Sequence, residues 1–338
     1  MDNIIEKNEK VRNGGVELLR IICMFGFVCL HVIGYSSIAP FGSYEFESKF
    51  LLHLRYLLNV GVDVFAFISG FYGIKFTIRK ALHLLYIGCF SSLCVFLIEI
   101  YFFNVEFKIV SLIQIFLSNW YFREYLILFF LSPFLSIIIE NDDKKHINEI
   151  VIALLLLFLW NFLAAQLPSS FGQTGTLGNH SAMLLIMIYL LGRLLNITKI
   201  LENLHTWILI VLVFICFPIL FCFSKLKDFS SPFCIVSAIC LFEIFRRLPI
   251  STIISRIACF ISPSMLGILI LHNAGSHKIS GGLVYRYFEN FSGNLPGMIF
   301  IKYSLIIFFF ALVIDLLRRL IMFILRKIKD AIINARKS

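Results

Sequence analysis

About ten apolar windows, each near twenty residues long, follow one another between residues 15 and 318 of this 338-residue chain. A helical window of that length matches the hydrocarbon thickness of a bilayer, and a helix satisfies its own backbone hydrogen bonds where no water can. The windows fall at 15–36, 51–73, 81–103, 119–139, 148–166, 180–196, 205–223, 231–247, 253–273 and 298–318. Their connections are short, without a Ser/Gly-rich linker or an internal repeat. The pattern predicts an all-α polytopic integral membrane protein of about ten transmembrane helices. One domain fills 1–338: a leader at 1–14, a helical bundle at 15–318 and a basic amphipathic tail at 319–338.

Composition agrees: 59% of residues are hydrophobic and 15% charged, with a mean hydropathy of +0.91. A soluble domain of this size could not hide so much apolar surface. The formal charge of +10 raises nucleic acid as a partner. The basic residues, however, sit in short clusters between apolar windows rather than on one surface, so no nucleic-acid binding is expected. With the N-terminus in the cytoplasm, twenty of the thirty Lys and Arg fall in inner segments and seven in outer ones, while Arg20, Arg55 and Arg123 lie inside spans. That asymmetry predicts both termini cytoplasmic. The tail RRLIMFILRKIKDAIINARKS mixes apolar and basic residues at helical spacing and is expected along the inner leaflet. The leader MDNIIEKNEKVRNGG precedes a first apolar segment with no small-residue cleavage site, so that segment is expected to be retained. All nine cysteines lie in apolar stretches without a C-x-x-C pair, which predicts neither a disulfide framework nor a metal site.

Ionisable residues inside the spans are the departures from this plan. In RIICMFGFVCLH, Arg20 and His31 are eleven positions apart. On a helix they point within about 20° of each other, about 16 Å apart along the axis, and Glu17 shares their face. Arg20 either snorkels to headgroups, paired with Glu17, or serves a site; His31, an imidazole at depth, reads as functional. Along the second span, which continues as NVGVDVFAFISGFYG from Asn59, Arg55, Asn59 and Asp63 recur every four residues, so Arg55 is expected to pair with Asp63. Just inside that span come Lys75, Arg79 and Lys80, either ordinary inner-side charge or a phosphate site. In NWYFREYLILFFLSP, Arg123 and Glu124 begin the apolar run and, pointing about 100° apart, are expected to need different partners. SMLGILILHN places His272 and Asn273 at similar depth to His31, Arg55, Arg123 and Glu124. Several spans then supply one buried polar cluster toward the outer side. The chain lacks a phosphate loop, a G-x-S-x-G elbow and an H-E-x-x-H pair, so soluble-type ATPase, hydrolase and zinc-protease readings have no support.

The stretch ELLRIICMFGFVCLH (17–31) resembles the opening motif of the membrane acyltransferase 3 family, and GVDVFAFISGFYG (61–73) is similar to its second signature. Arg79 and Lys80 sit where members often carry arginines. WYFREYLILFFLSPFL (120–135), SAMLLIMIYLLGRLL (181–195) and GILILHN (267–273) look like landmarks of the branch that acetylates surface polysaccharides. Glu17 stands where many members have aspartate, Gly267 is followed by isoleucine rather than tyrosine, and the hydrolase-like domain fused to some members is not expected here.

The resemblance implies transfer of an acetyl group from cytoplasmic acetyl-CoA, a co-substrate, to a sugar hydroxyl. The acceptor would be a capsule or exopolysaccharide glycan or its lipid-linked precursor, met at the cytoplasmic membrane of a bacterium. No metal is implied. The implied catalytic set is His31, Arg20, Glu17 and Asp63, with His31 either a general base or a covalent acyl carrier. Donor phosphates fall to Arg20, Arg79 and Lys80. The acceptor side and oxyanion fall to Arg55, Arg123, Glu124, His272 and Asn273. The rival is a transporter or flippase for a glycan or lipid-linked sugar, which also needs many spans and buried charge. Sequence leaves the oligomeric state open.

Overall fold

The computed structural model describes residues 12–36, 45–103, 106, 108–140, 144–166, 180–223, 226, 228–274 and 299–335. Among these residues the regular structure is entirely helical. The chain runs through α1 (Gly14–Ser36), α2 (Glu45–Leu58), α3 (Val60–Tyr72), α4 (Ile78–Phe103), α5 (Ile109–Ser118), α6 (Trp120–Glu140) and α7 (Lys144–Gln166). It continues through α8 (Ala182–Thr198), α9 (Thr206–Cys222), α10 (Pro232–Arg247), α11 (Thr252–Ile261), α12 (Met265–Asn273) and α13 (Ile299–Ala335), with 3-10 turns at Ile200–Asn203 and Ser262–Ser264. The remaining leader and tail residues, 1–11 and 336–338, lie outside the described residues.

Among the described residues, six segments are long and apolar enough to cross a membrane: Gly14–Gly34, Phe50–Tyr72, Ile78–Phe102, Trp120–Ile139, Thr252–Asn273 and Phe300–Ala335. The expected spans at 148–166, 180–196 and 205–223 correspond to shorter apolar helices, and that at 231–247 to α10, which carries Glu243, Arg246 and Arg247. The structure adds α5, which the windows did not anticipate. It breaks the second span at Asn59 and the ninth at the 3-10 turn Ser262–Ser264. Residues 319–335 continue α13 without interruption.

Large apolar side chains cover the outward surfaces, among them Phe134, Leu155, Trp160, Phe214 and Phe309. That surface suits lipid, which removes the usual penalty on exposed hydrophobics but also removes the hydrophobic drive for helices to associate. Association then depends on close packing. Helix α3 sits at the centre, with Phe67 and Ile68 fully buried, and crosses α8 where Gly70 meets the Tyr189 carbonyl and Gly192 meets the Phe67 carbonyl. A Cβ on either glycine would overlap that backbone. Small residues here let two helix backbones touch and exchange dispersion and Cα–H contacts that lipid cannot replace.

Candidate active site

Two groups of polar residues lie at the two ends of α1. At the His31 end lies a cavity of about 270 Å³, walled by His31, Arg55, Tyr56, Asn59, Asn119 and Asn273 together with Trp120, Tyr121, His180, Asp228 and Phe229. Each polar wall residue is positioned by the end of an element. Asn119 Oδ1 accepts from Phe122 N–H at 2.9 Å and so caps α6, while its amide donates to the Leu269 carbonyl of α12 at 3.3 Å. Trp120 stacks on Phe229 with ring centres 5.6 Å apart and meets His180 edge-on at 4.6 Å, which ties the starts of α6, α8 and α10 together.

His31 and His272 form the centre of this end. His31 Nδ1 is 2.9 Å from the Phe27 carbonyl and 3.0 Å from His272 Nε2, while His272 Nδ1 is 2.7 Å from the Ile268 carbonyl. A carbonyl only accepts, so each Nδ1 carries a proton and donates it. His272 Nε2 then holds a lone pair and accepts from His31 Nδ1–H. In neutral His31 the other nitrogen, Nε2, is unprotonated. His31 lines the cavity, and the fully buried His272 stands behind it.

Arg55 reaches the same cavity by lying across α1 at Gly34, where an added Cβ would stand 3.1 Å from the guanidinium carbon. This corrects the expected Arg55–Asp63 pair. The helix breaks at Asn59 between them, Arg55 turns toward α1, and both carboxylate oxygens of the fully buried Asp63 lack a hydrogen-bond partner. Arg123 and Glu124 also depart from expectation. They pair with each other at 2.9 Å, because the long arginine side chain bends back past its neighbour, and neither lines the cavity. Arg123 further donates to the Leu117 carbonyl of α5 at 3.4 Å.

At the opposite end, Glu17 fastens α1 to the break between α11 and α12. It accepts from Arg12 Nε at 3.0 Å and from the Ser262 hydroxyl, and Arg12 also donates to Ser262 Oγ at 3.0 Å. Arg20 is 3.7 Å from Glu17, beyond hydrogen-bond distance, and its buried Nε has no partner. The closer cation on Glu17 is thus Arg12. Arg79 and Lys80 are exposed at the start of α4, where Lys80 Nζ donates to the Lys75 carbonyl at 3.0 Å.

Three features here escaped the motif reading. Arg193 lies against Gly73, its Nη1 3.0 Å from the place of a Cβ there. Arg20 and Arg246 both lie within electrostatic reach of the neighbouring Tyr72, so arginines from α1, α8 and α10 surround the end of α3. The fully buried Glu243 receives Arg246 through two bonds of 2.7 Å and Arg247 at 2.6 Å. In α13, Asp315 and Arg318 form a buried two-pronged pair at 2.7 and 3.1 Å, with Asp315 pressed on Gly267 of α12. Both acids stand three residues before an arginine, the i,i+3 spacing that could have disclosed them. Among the described residues no cluster of three or more His, Cys, Asp or Glu is placed to hold a metal ion.

Neither a curated protein nor a solved structure matches the chain. A family model described as an acyltransferase domain matches residues 13–316, which takes in every helix from α1 to the middle of α13. By that match, a membrane protein with half-buried arginines at one end and a histidine-lined cavity at the other belongs to the acyltransferase 3 family.

Proposed function

We propose that this membrane acyltransferase moves an acetyl group from acetyl-CoA, bound at the Glu17 end, to a sugar hydroxyl in the His31 cavity. In this reading all ten expected spans cross a bacterial cytoplasmic membrane with both termini inside, so the donor is met on the cytoplasmic side. The acceptor, a surface polysaccharide or its lipid-linked precursor, is met at the outer half. The observation that carries the proposal is His31 on the wall of a polar cavity, its Nδ1 turned to the Phe27 carbonyl and to His272 so that Nε2 is left as the basic nitrogen.

Arg20, with an unpartnered Nε, and Arg193 suit the phosphates of the donor, because guanidinium forks match phosphate oxygens. Arg79 and Lys80 at the nearby surface add attraction. From Arg20 to His31 is about 16 Å along α1, a distance for the extended pantetheine arm to cover. His31 Nε2 takes the proton of the sugar hydroxyl as its oxygen attacks the thioester carbonyl. Arg55 stabilises the tetrahedral oxyanion. As the carbon–sulfur bond breaks, the departing thiolate recovers the proton from His31. Proton and acyl group both balance, and the enzyme returns to its starting tautomer.

Labelled acetyl supplied as acetyl-CoA to membranes containing the protein should appear in ester linkage on glycan. Label that stays in the donor, while intact glycan crosses the membrane, would instead identify a transporter.

A further inference from the structure

A second cavity, of about 350 Å³, lies between α7, α8 and α10. Its lining is apolar, from Leu154 and Phe158 of α7, Leu191 of α8 and Ile235 of α10, with Ser230 the single polar residue among those described. Helix α7 packs chiefly on α8, and the cavity separates it from α10. Leu155 and Leu159, 63% and 54% exposed, form a lip that opens sideways toward lipid. From Val151 to Phe162 the groove follows α7 for about 16 Å, roughly half the hydrocarbon thickness.

The groove ends beside the His31 cavity. Asp228 and Phe229 line the cavity, and Ser230 and Pro232, in the same turn of chain, line the groove. A polar chamber and an apolar channel that share one rim fit a single amphipathic ligand. A glycan arriving from water would use only the chamber. A bulk phospholipid would fill the channel without needing the chamber.

We propose that this groove holds the hydrocarbon tail of a membrane-anchored sugar acceptor whose sugar enters the His31 cavity. The proposal rests on the acyl-transfer reading and narrows it: the acceptor is a lipid-linked sugar, which enters through the α7 lip from within the bilayer.

The test places p-benzoyl-phenylalanine at Leu159, or at the lipid-facing Trp207 as a control, in cells that make the acceptor. After irradiation the adduct on the purified full-length protein is weighed. A sugar-bearing lipid on the Leu159 probe, with phospholipid alone on the Trp207 probe, is the expected result. Phospholipid alone or no adduct at Leu159 overturns the proposal. A second arm fills the groove with Leu159→Trp, which should lower glycan acetylation about tenfold, the effect of losing one anchoring contact, and leave acetyl-CoA binding unchanged. Unaltered acetylation in that variant counts equally against it. A sugar-bearing adduct on a protein that transfers no label from acetyl-CoA would keep the groove and remove the transferase reading. An active transferase with only phospholipid at Leu159 would do the reverse.

Discussion

His272 Nε2 accepts from the Nδ1–H of His31 at 3.0 Å, and the fully buried His272 stands behind its neighbour, off the cavity wall. In the proposed mechanism it is the second acceptor, beside the Phe27 carbonyl, that holds the proton on His31 Nδ1 and leaves Nε2 basic. His272→Phe removes that second acceptor, whereas His272→Gln offers a side-chain oxygen near the same place. Transfer should fall about 10²-fold or more in the phenylalanine variant, as expected when a catalytic histidine loses its tautomer, and be partly restored by glutamine. Nitrogen-15 spectra of histidine-labelled protein check the cause: the unprotonated Nε2 signal, assigned by its loss in His31→Asn, should weaken in His272→Phe. A full signal beside lost activity would reduce His272 to packing.

Gly34 leaves room for Arg55 to lie across α1. Gly34→Ala puts a methyl group 3.1 Å from the guanidinium carbon and must displace it. Acetyl transfer should drop between about 10- and 10²-fold, the usual consequence of a small misplacement near a reacting centre, with little change in thermal stability. A wild-type rate in this variant would remove Arg55 from the chemistry.

Donor binding separates the arginines at the Glu17 end. Arg20→Ala and Arg193→Ala should each weaken acetyl-CoA binding to purified protein by about tenfold, roughly the contribution of one charge-assisted contact. Arg79→Ala, at an exposed position apart from that pair, should weaken it less. The reverse ranking would move the donor site to the start of α4.

Arg318 is 1% exposed and bonded to the fully buried Asp315, so its removal leaves a carboxylate without its cation. Arg318→Ala should cost about 3–5 kcal/mol of stability, and replacing both partners with apolar residues should cost less than replacing the arginine alone. Unfolding in detergent, followed by size-exclusion profiles, compares the three proteins. A double variant less stable than Arg318→Ala would show that the stranded carboxylate does not set the cost.

Much of this arrangement was legible before any coordinates. Apolar window length placed helices at all ten expected positions, because backbone satisfaction in lipid leaves few alternatives. The R-x10-H spacing put Arg20 and His31 on one face of α1, and motif order drew attention to His272. What the sequence did not carry was contact between elements. Periodicity cannot reveal that His272 meets His31 across 241 positions, nor that a break at Asn59 turns Arg55 from Asp63 to Gly34. Adjacent Arg123 and Glu124 seemed to diverge because Cβ directions ignore the reach of a long side chain. Arg193 and Glu243 were hidden by their resemblance to ordinary topological charge.

The most direct test of acetyl transfer through His31 is the His31→Asn variant, whose amide can still donate near Phe27 but offers no titrating nitrogen. With labelled acetyl-CoA and membranes that contain the acceptor, this protein should fold, bind the donor as wild type does, and transfer label about 10²- to 10⁴-fold more slowly. Transfer within a few-fold of wild type would contradict the mechanism and leave His31 a packing residue on the cavity wall.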